Sequence, residues 1–438
     1  MPRSLSGIIA PLGSNNSQVR QAPSLCTDLG YISLNKHGEL LCGDHVEIAH
    51  SFQSEFSAAH KGRDAKGYKE TGRRQTGKGD FTVVVLADGL GSGVKANILS
   101  TLTAKIISTM MASSLTVEDC VSTIAATLPV RSELGIAYST FTIIKITRNQ
   151  EAEIIQYDNP QVIFLRDGKT FDYQKTVETI DSKTIYKTHV ALKEGDTFIA
   201  LSDGAIHAGT GPELNLDWER DDIAAFMEGI YEPGYTAKTL STMLINKCYS
   251  LYGGEPGDDT TVCTVKIRPR RPVNMLIGPP EDPKDLNKMM NLFFSKEGKH
   301  IISGGTTSHL AAEFLKQKLD ASIPPSRSDP DIPPVSRIEG VDLVTEGVIT
   351  LQRVAEYARD FTGNNENYTD WTGGDDGASL ISQLLFEEAT DINFFVGKAV
   401  NRDQKEDARI SFVLKMKLIE ELAAYLKTMG KQIKISYF

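Results

Sequence analysis

The sequence predicts two domains: an α+β layered domain built on antiparallel strands, then a smaller α/β domain with a mainly parallel sheet. Three observations carry that expectation. The chain has 438 residues, more than one hydrophobic core usually spans. Between Ala137 and Leu201, β-branched alternating runs follow one another across very short polar connections, the pattern of an antiparallel meander. Beyond Pro272 the rhythm changes to strand-like runs alternating with helical patterns, which favours parallel pairing.

Taken in order, residues 1–27 are rich in Ser, Asn, Gln and Pro and are expected to be a flexible lead-in. Gly38–His50 (GELLCGDHVEIAH) reads as a strand or hairpin arm carrying Asp44. Residues 51–79 hold seven Lys or Arg against three acids, and five glycines interrupt any period. They read as a mobile basic loop, either solvated only or attractive to a phosphorylated partner. Val83–Val85 belong to a strand buried on both faces, which ends at Asp88 and a glycine-rich turn. Ile98, Leu102, Ile106 and Met110 recur at helical spacing, and a second helix spans Val117–Leu128. Strands follow at 137–146, 151–157, 161–166, 184–192 and 196–201, with turns at Arg148-Asn149-Gln150 and Asp167-Gly168. Helices are expected over 221–228 and 236–251, then a strand over 260–267.

The first domain is placed at 28–268 and a linker at 269–272 (Pro-Arg-Arg-Pro). The second domain, 273–438, alternates strands at 273–278, 300–305, 341–347, 392–397 and 432–438 with helices at 282–294, 306–319, 351–361, 378–388 and 411–429.

Net charge is −10, which argues against a general nucleic-acid or anionic-membrane binder. No apolar run approaches the ~20 residues of a membrane span. The five cysteines are scattered without a CxxC pair, so neither a zinc ribbon nor a disulfide framework is expected. A cytoplasmic location fits that usage.

Four acidic places stand out: Asp44 in CGDHVEI, Asp88 in ADGLGSG, Asp203 in LSDGAI and Asp258-Asp259 in PGDDTTV. Each adjoins a glycine and an apolar run, and none has a Lys or Arg beside it. Any one alone reads as a turn residue. Together they read as crowded carboxylates, which raise one another's pKa unless a cation neutralises them. Oxygen ligands point to Mg²⁺ or Mn²⁺, and two such ions can activate a water for in-line attack on phosphorus.

DGLGSGVKA, LSDG and GDDTTVCTVKI resemble the metal-dependent (PPM, type 2C) serine/threonine protein phosphatases, in the SpoIIE-like bacterial branch, over residues 28–268. The resemblance implies a central antiparallel β-sandwich flanked by helices, with two Mn²⁺ or Mg²⁺ ions at one edge. It implies that Asp88 bridges both ions, that the Gly89 carbonyl is a backbone ligand, and that Asp44 and Asp203 are ligands. Asp258 matches the last ligand, with Asp259 as fallback. It further implies hydrolysis of phosphoserine or phosphothreonine on a bacterial regulatory phosphoprotein, such as an anti-sigma-factor antagonist, by direct attack of a water activated by the two metals. The histidine that eukaryotic members carry two residues after the bridging aspartate is Leu90 here. His45 and His207 could serve as general acid, or be structural. Lys95, near the start of the helix after the glycine turn, could bind substrate or be a surface lysine. A phosphatase of a small phosphometabolite with the second domain as cap, and a catalytically silent scaffold, are the alternatives.

In the second domain Gly304-Gly305, followed by Thr306, Thr307 and Ser308 at a helix start, would form an anion cradle or a plain capped turn. The domain carries no motif that assigns a function. Ligand sensing, docking of the phosphoprotein and homodimer formation are all open to it.

Overall fold

The computed structural model describes residues 24–51, 81–127, 139–181, 183–209, 218–323, 332–363, 365, 368–399 and 407–438. Apart from Ser51, the basic stretch 51–79 lies outside the described residues. The described residues divide into two compact units, one within Thr27–Arg268 and one within Pro269–Phe438.

In chain order, the strands and helices up to Pro269 are β1 (Leu25–Leu34), β2 (Asp44–Ser51), β3 (Phe81–Asp88), α1 (Gly93–Ala112), α2 (Val117–Thr127), β4 (Thr140–Thr147), β5 (Glu151–Tyr157), β6 (Ile163–Arg166), β7 (Lys169–Thr170), β8 (Thr176–Ile180), β9 (Lys183–Ala191), β10 (Thr197–Leu201), α3 (Asp203–His207), α4 (Arg220–Ile230), α5 (Ala237–Leu251) and β11 (Thr260–Pro269). They form a five-stranded sheet, β1-β11-β10-β6-β7, and a six-stranded sheet, β2-β3-β4-β5-β9-β8. The registered pairs in both run antiparallel. Arg148 and Asn149 have φ of 52° and 54°, and Asp167 and Gly168 have φ of 52° and 73°. Two consecutive left-handed residues match the right-handed twist of the flanking strands, which is why these two polar pairs close hairpins.

The inner strands of both sheets are buried on both faces. Val83, Val85 and Ala87 of β3 pack with Ala104, Ile107 and Met111 of α1 and with α2. Val84 and Leu86, which point the other way, are equally buried. Ile163, Leu165, Ile199 and Leu201 of the five-stranded sheet pack against α4 and α5, while Phe164 and Phe198 on its other face stack at 4.5 Å. The result is an antiparallel β-sandwich with helices outside, as the sequence led us to expect.

Several boundaries differ from the expectation. Leu25–Thr27, assigned to the lead-in, already belong to β1. Gly38–Gly43 are loop, and the strand there begins only at Asp44. On α1 the four apolar residues at helical spacing divide: Ile98 and Leu102 are exposed, Ile106 and Met110 pack partly buried against the core, and Ala96, Ser100, Thr103, Ala104 and Ile107 are fully buried. Small side chains let the helix lie close to the sheet, so Ile98 and Leu102 were left outside.

In the second unit, β12 (Pro272–Ile277) follows β11 after only two residues, so of the expected linker 269–272 only Arg270 and Arg271 lie outside strands. Proline at a strand end gives up no ladder hydrogen bond. Then come a 3₁₀ turn at Pro283–Asp285, α6 (Leu286–Phe294), β13 (Lys299–Ser303), α7 (Gly305–Leu315), β14 (Asp320–Ile323), β15 (Val335–Arg337), β16 (Leu343–Thr345), α8 (Val348–Thr362), α9 (Tyr368–Thr372), α10 (Gly377–Ser382) with a π-helical turn Gln383–Glu388, β17 (Asp391–Val396), α11 (Asp407–Thr428) and β18 (Gln432–Tyr437). The sheet order is β14-β15-β16-β13-β12-β17-β18. From β16 to β18 the neighbours are parallel, and β14 and β15 pair antiparallel at one edge. Helix α7 stops at Leu315, before the expected Leu319, because Lys316 is left-handed at φ 55° and releases the chain into β14.

Candidate active site

The acids collect because of where strands begin and end. Asp44 is the first residue of β2 and Asp88 the last of β3, and the antiparallel register sets them directly opposite each other. Asp203 opens α3 just after β10, and Asp258-Asp259 precede β11, the hydrogen-bonded neighbour of β10. Two glycines make the approach close. A Cβ on Gly204 would overlap the Asp259 carbonyl, and one on Gly89 would overlap the Ala96 backbone.

A cavity of about 310 Å³ opens there, lined by Asp88, Gly89, Leu90, Asp203, Asp258 and Lys36. Asp88 and Asp203 face the same cavity, close enough for their charges to act on each other. Burial, then the charges of Asp44, Asp203 and Asp258, push the Asp88 pKa up from 3.8 to about 9. Asp44 lies behind the cavity wall and is 4% exposed. Burial, opposed by the nearby Ser202 and Thr261 hydroxyls, raises its pKa to about 7. Those hydroxyls favour its charged form from a distance but close no hydrogen bond on it: Oδ1 and Oδ2 of Asp44 and Oδ2 of Asp259 are all buried and unpartnered. The other Asp259 oxygen accepts from the Lys36 backbone N–H at 3.0 Å.

A buried carboxylate oxygen without a partner costs free energy that a hard cation would recover. The donor set is all oxygen, so these residues fit Mn²⁺ or Mg²⁺ in chemistry. Among the described residues no three His, Cys, Asp or Glu already stand as a ligand set, so cation binding would have to draw the acids together.

Residues 78–268 match the family described as Stage II sporulation protein E (SpoIIE). That match lies inside the first compact unit, Thr27–Arg268. No curated protein matches the chain. Among solved structures, the phosphatase domain of the cell fate determinant SpoIIE from Bacillus subtilis, in a crystal form without domain swapping, is 18% identical, with 57% of this chain and 95% of that chain covered and a TM-score of 0.39. The Bacillus subtilis SpoIIE PP2C phosphatase domain with a fragment of its regulatory domain is 20% identical, covering 57% and 64%, TM-score 0.42. The catalytic domain of the serine/threonine protein phosphatase PstP, in complex with two manganese ions, is 16% identical, covering 56% and 100%, TM-score 0.33.

Within the first unit the other candidates are placed as follows. Asp258 lines the cavity and Asp259 lies behind it, near enough for its charge to act on Asp44. Lys95 is exposed on α1 and does not line the cavity. His45 alternates to the face opposite Asp44 and pairs with Glu47 at 3.2 Å. His207 is exposed on α3. Lys36 was missed by sequence reasoning, since no motif surrounds it. Its ammonium lies 3.8 Å from Asp258 at the cavity rim.

In the second unit Gly304 caps α7 with φ 115° and no side-chain cap. Thr306 is exposed, Thr307 and Ser308 are buried, and the Ser308 hydroxyl donates to the Gly304 carbonyl at 2.9 Å. The Glu346 carboxylate stands beside Gly305. Asp376 caps α10, accepting from the Ala378 and Ser379 N–H groups.

Proposed function

We propose that the first unit hydrolyses phosphoserine or phosphothreonine on a regulatory phosphoprotein. The observation that carries this is the set of buried, unpartnered carboxylate oxygens on Asp44 and Asp259 behind a cavity walled by Asp88, Asp203 and Asp258. Asp44, Asp88, Asp203, Asp258, Asp259 and the Gly89 carbonyl would hold two Mn²⁺ or Mg²⁺ ions. When bound, these ions supply charge neutralisation and an activated water for in-line displacement at phosphorus.

The chain's own residues do the rest. Asp88, whose pKa burial raises to about 9, would have to be deprotonated to hold a cation, so binding would strengthen as pH rises. Lys36, beside Asp258 at the rim, holds the phosphoryl oxygens and offsets their charge. Leu90 and the backbone turn before α1 also line the cavity, where they would meet the seryl end of the substrate. The substrate class follows the family resemblance: a small phosphoprotein such as an anti-sigma-factor antagonist.

The test is manganese-dependent phosphate release from p-nitrophenyl phosphate and then from a phosphoserine peptide. Asp88→Asn is expected to lower the rate at least about a hundredfold. A wild type that binds no manganese and is matched by Asp88→Asn ends this reading.

A further inference from the structure

We propose that the outward face of α1, with Leu40, Leu41 and Leu90, is the surface on which the phosphoprotein substrate docks, through an apolar patch bordered by acids. This rests on the phosphatase reading above and adds how the partner is held.

A helix laid on a sheet normally turns its polar side to water. Helix α1 does not. Val94 is 60% exposed, Ile98 51% and Leu102 44%. At four-residue spacing they stand in one row about 12 Å long. The row runs on into Leu90, which is 58% exposed and lines the catalytic cavity.

The loop before β2 widens it. The Ser92 hydroxyl donates to the Glu39 carboxylate at 3.1 Å, and the Asn97 side chain donates to the Cys42 carbonyl at 2.8 Å. These two anchors hold Leu40 and Leu41 along the first turns of α1, both exposed. Six apolar side chains thus form one surface at the cavity mouth. A contiguous patch of that kind on a folded domain marks an interaction site.

Two features select the occupant. A protein that presents a phosphorylated side chain to Asp88 and Asp203 must lie across Leu90, so the substrate itself covers the start of the row. The charge also points that way. Helix α1 carries no acid and presents Lys95 exposed beside the row, while Lys105 is paired with Glu47 at 2.7 Å, within a chain of net charge −10. With Lys36 at the rim, it favours acids around the apolar patch of the partner. A second copy of this chain would instead bring another acid-free helix against it.

The test compares p-nitrophenyl phosphate, too small to reach the row, with two phosphoserine peptides, one flanked by Leu and Glu in amphipathic spacing and one flanked by Gly and Ser. The wild type is expected to favour the Leu/Glu peptide in kcat/KM by about tenfold. Ile98→Glu and Leu102→Glu, neither in the cavity, should erase that preference through KM and leave p-nitrophenyl phosphate turnover unchanged. Thr109→Glu, exposed on the same helix beyond the row, should keep the preference. Equal hydrolysis of the two peptides by the wild type, or a preference that survives Ile98→Glu, overturns the proposal. So does a wild-type dimer in sedimentation that Ile98→Glu separates into monomers. A wild type inert toward p-nitrophenyl phosphate fails the phosphatase reading itself, and the docking role falls with it.

Discussion

Asp44→Asn should stabilise the metal-free protein while removing its response to manganese. Asp44 is buried with both carboxylate oxygens unpartnered, and its pKa rises from 3.8 to about 7. The folded state therefore holds a proton that the unfolded state has lost between those two values. Stability is at its fullest below about pH 4, falls as pH rises, and is lost through pH 7. A shift of about three pKa units at 1.36 kcal/mol each is roughly 4 kcal/mol. Asparagine carries no charge to bury, so at pH 8 it recovers most of that cost, on the order of 10 °C in Tm for a domain of this size. Near pH 4 the gain should vanish. Thermal melts in chelator at both pH values, then with Mn²⁺ titrated in, make the measurement. The wild type should gain Tm with manganese at pH 8 and the variant should not. A variant that melts below the wild type at pH 8, gains equally at pH 4, or still responds to manganese refutes the account of Asp44 as a destabilising charge awaiting a cation.

Two further outcomes follow from the same unit. Lys36→Gln should weaken inhibition by inorganic phosphate about tenfold, because the rim loses its cation 3.8 Å from Asp258; an unchanged inhibition constant removes Lys36 from phosphate binding. Arg268→Met should cost about 3–5 kcal/mol, read as a lowered Tm, because Asp28 would keep a buried charge with its guanidinium partner, now at 3.2 Å, gone; adding Asp28→Asn should restore part of the loss, and a single variant that melts with the wild type counts against it.

Asp44, Asp88, Asp203 and Asp258 were legible in the sequence because a strand end, a glycine and a carboxylate lie within a few residues of one another, and such local chemistry survives without a structure. The hairpins at Arg148-Asn149 and Asp167-Gly168 were legible for the same reason. Lys36 was not. It reaches the site through the Asp259 carboxylate, 223 residues away in the chain, and no spacing rule spans that. The failure on α1 says more. Ile98 and Leu102 share an apolar period with Ile106 and Met110, and periodicity alone would assign all four to the core, yet only Ile106 and Met110 reach it. The sheet accepted Ala96, Ser100, Thr103 and Ala104 instead of Ile98 and Leu102, since small side chains bring helix and strand backbones closer. A hydrophobic period therefore identifies the helix but not which apolar side it buries when small residues offer a second face. The residues left outside by that choice begin beside the acid-lined cavity, so the place where the pattern misleads coincides with the surface a protein substrate would have to cover under the proposed function.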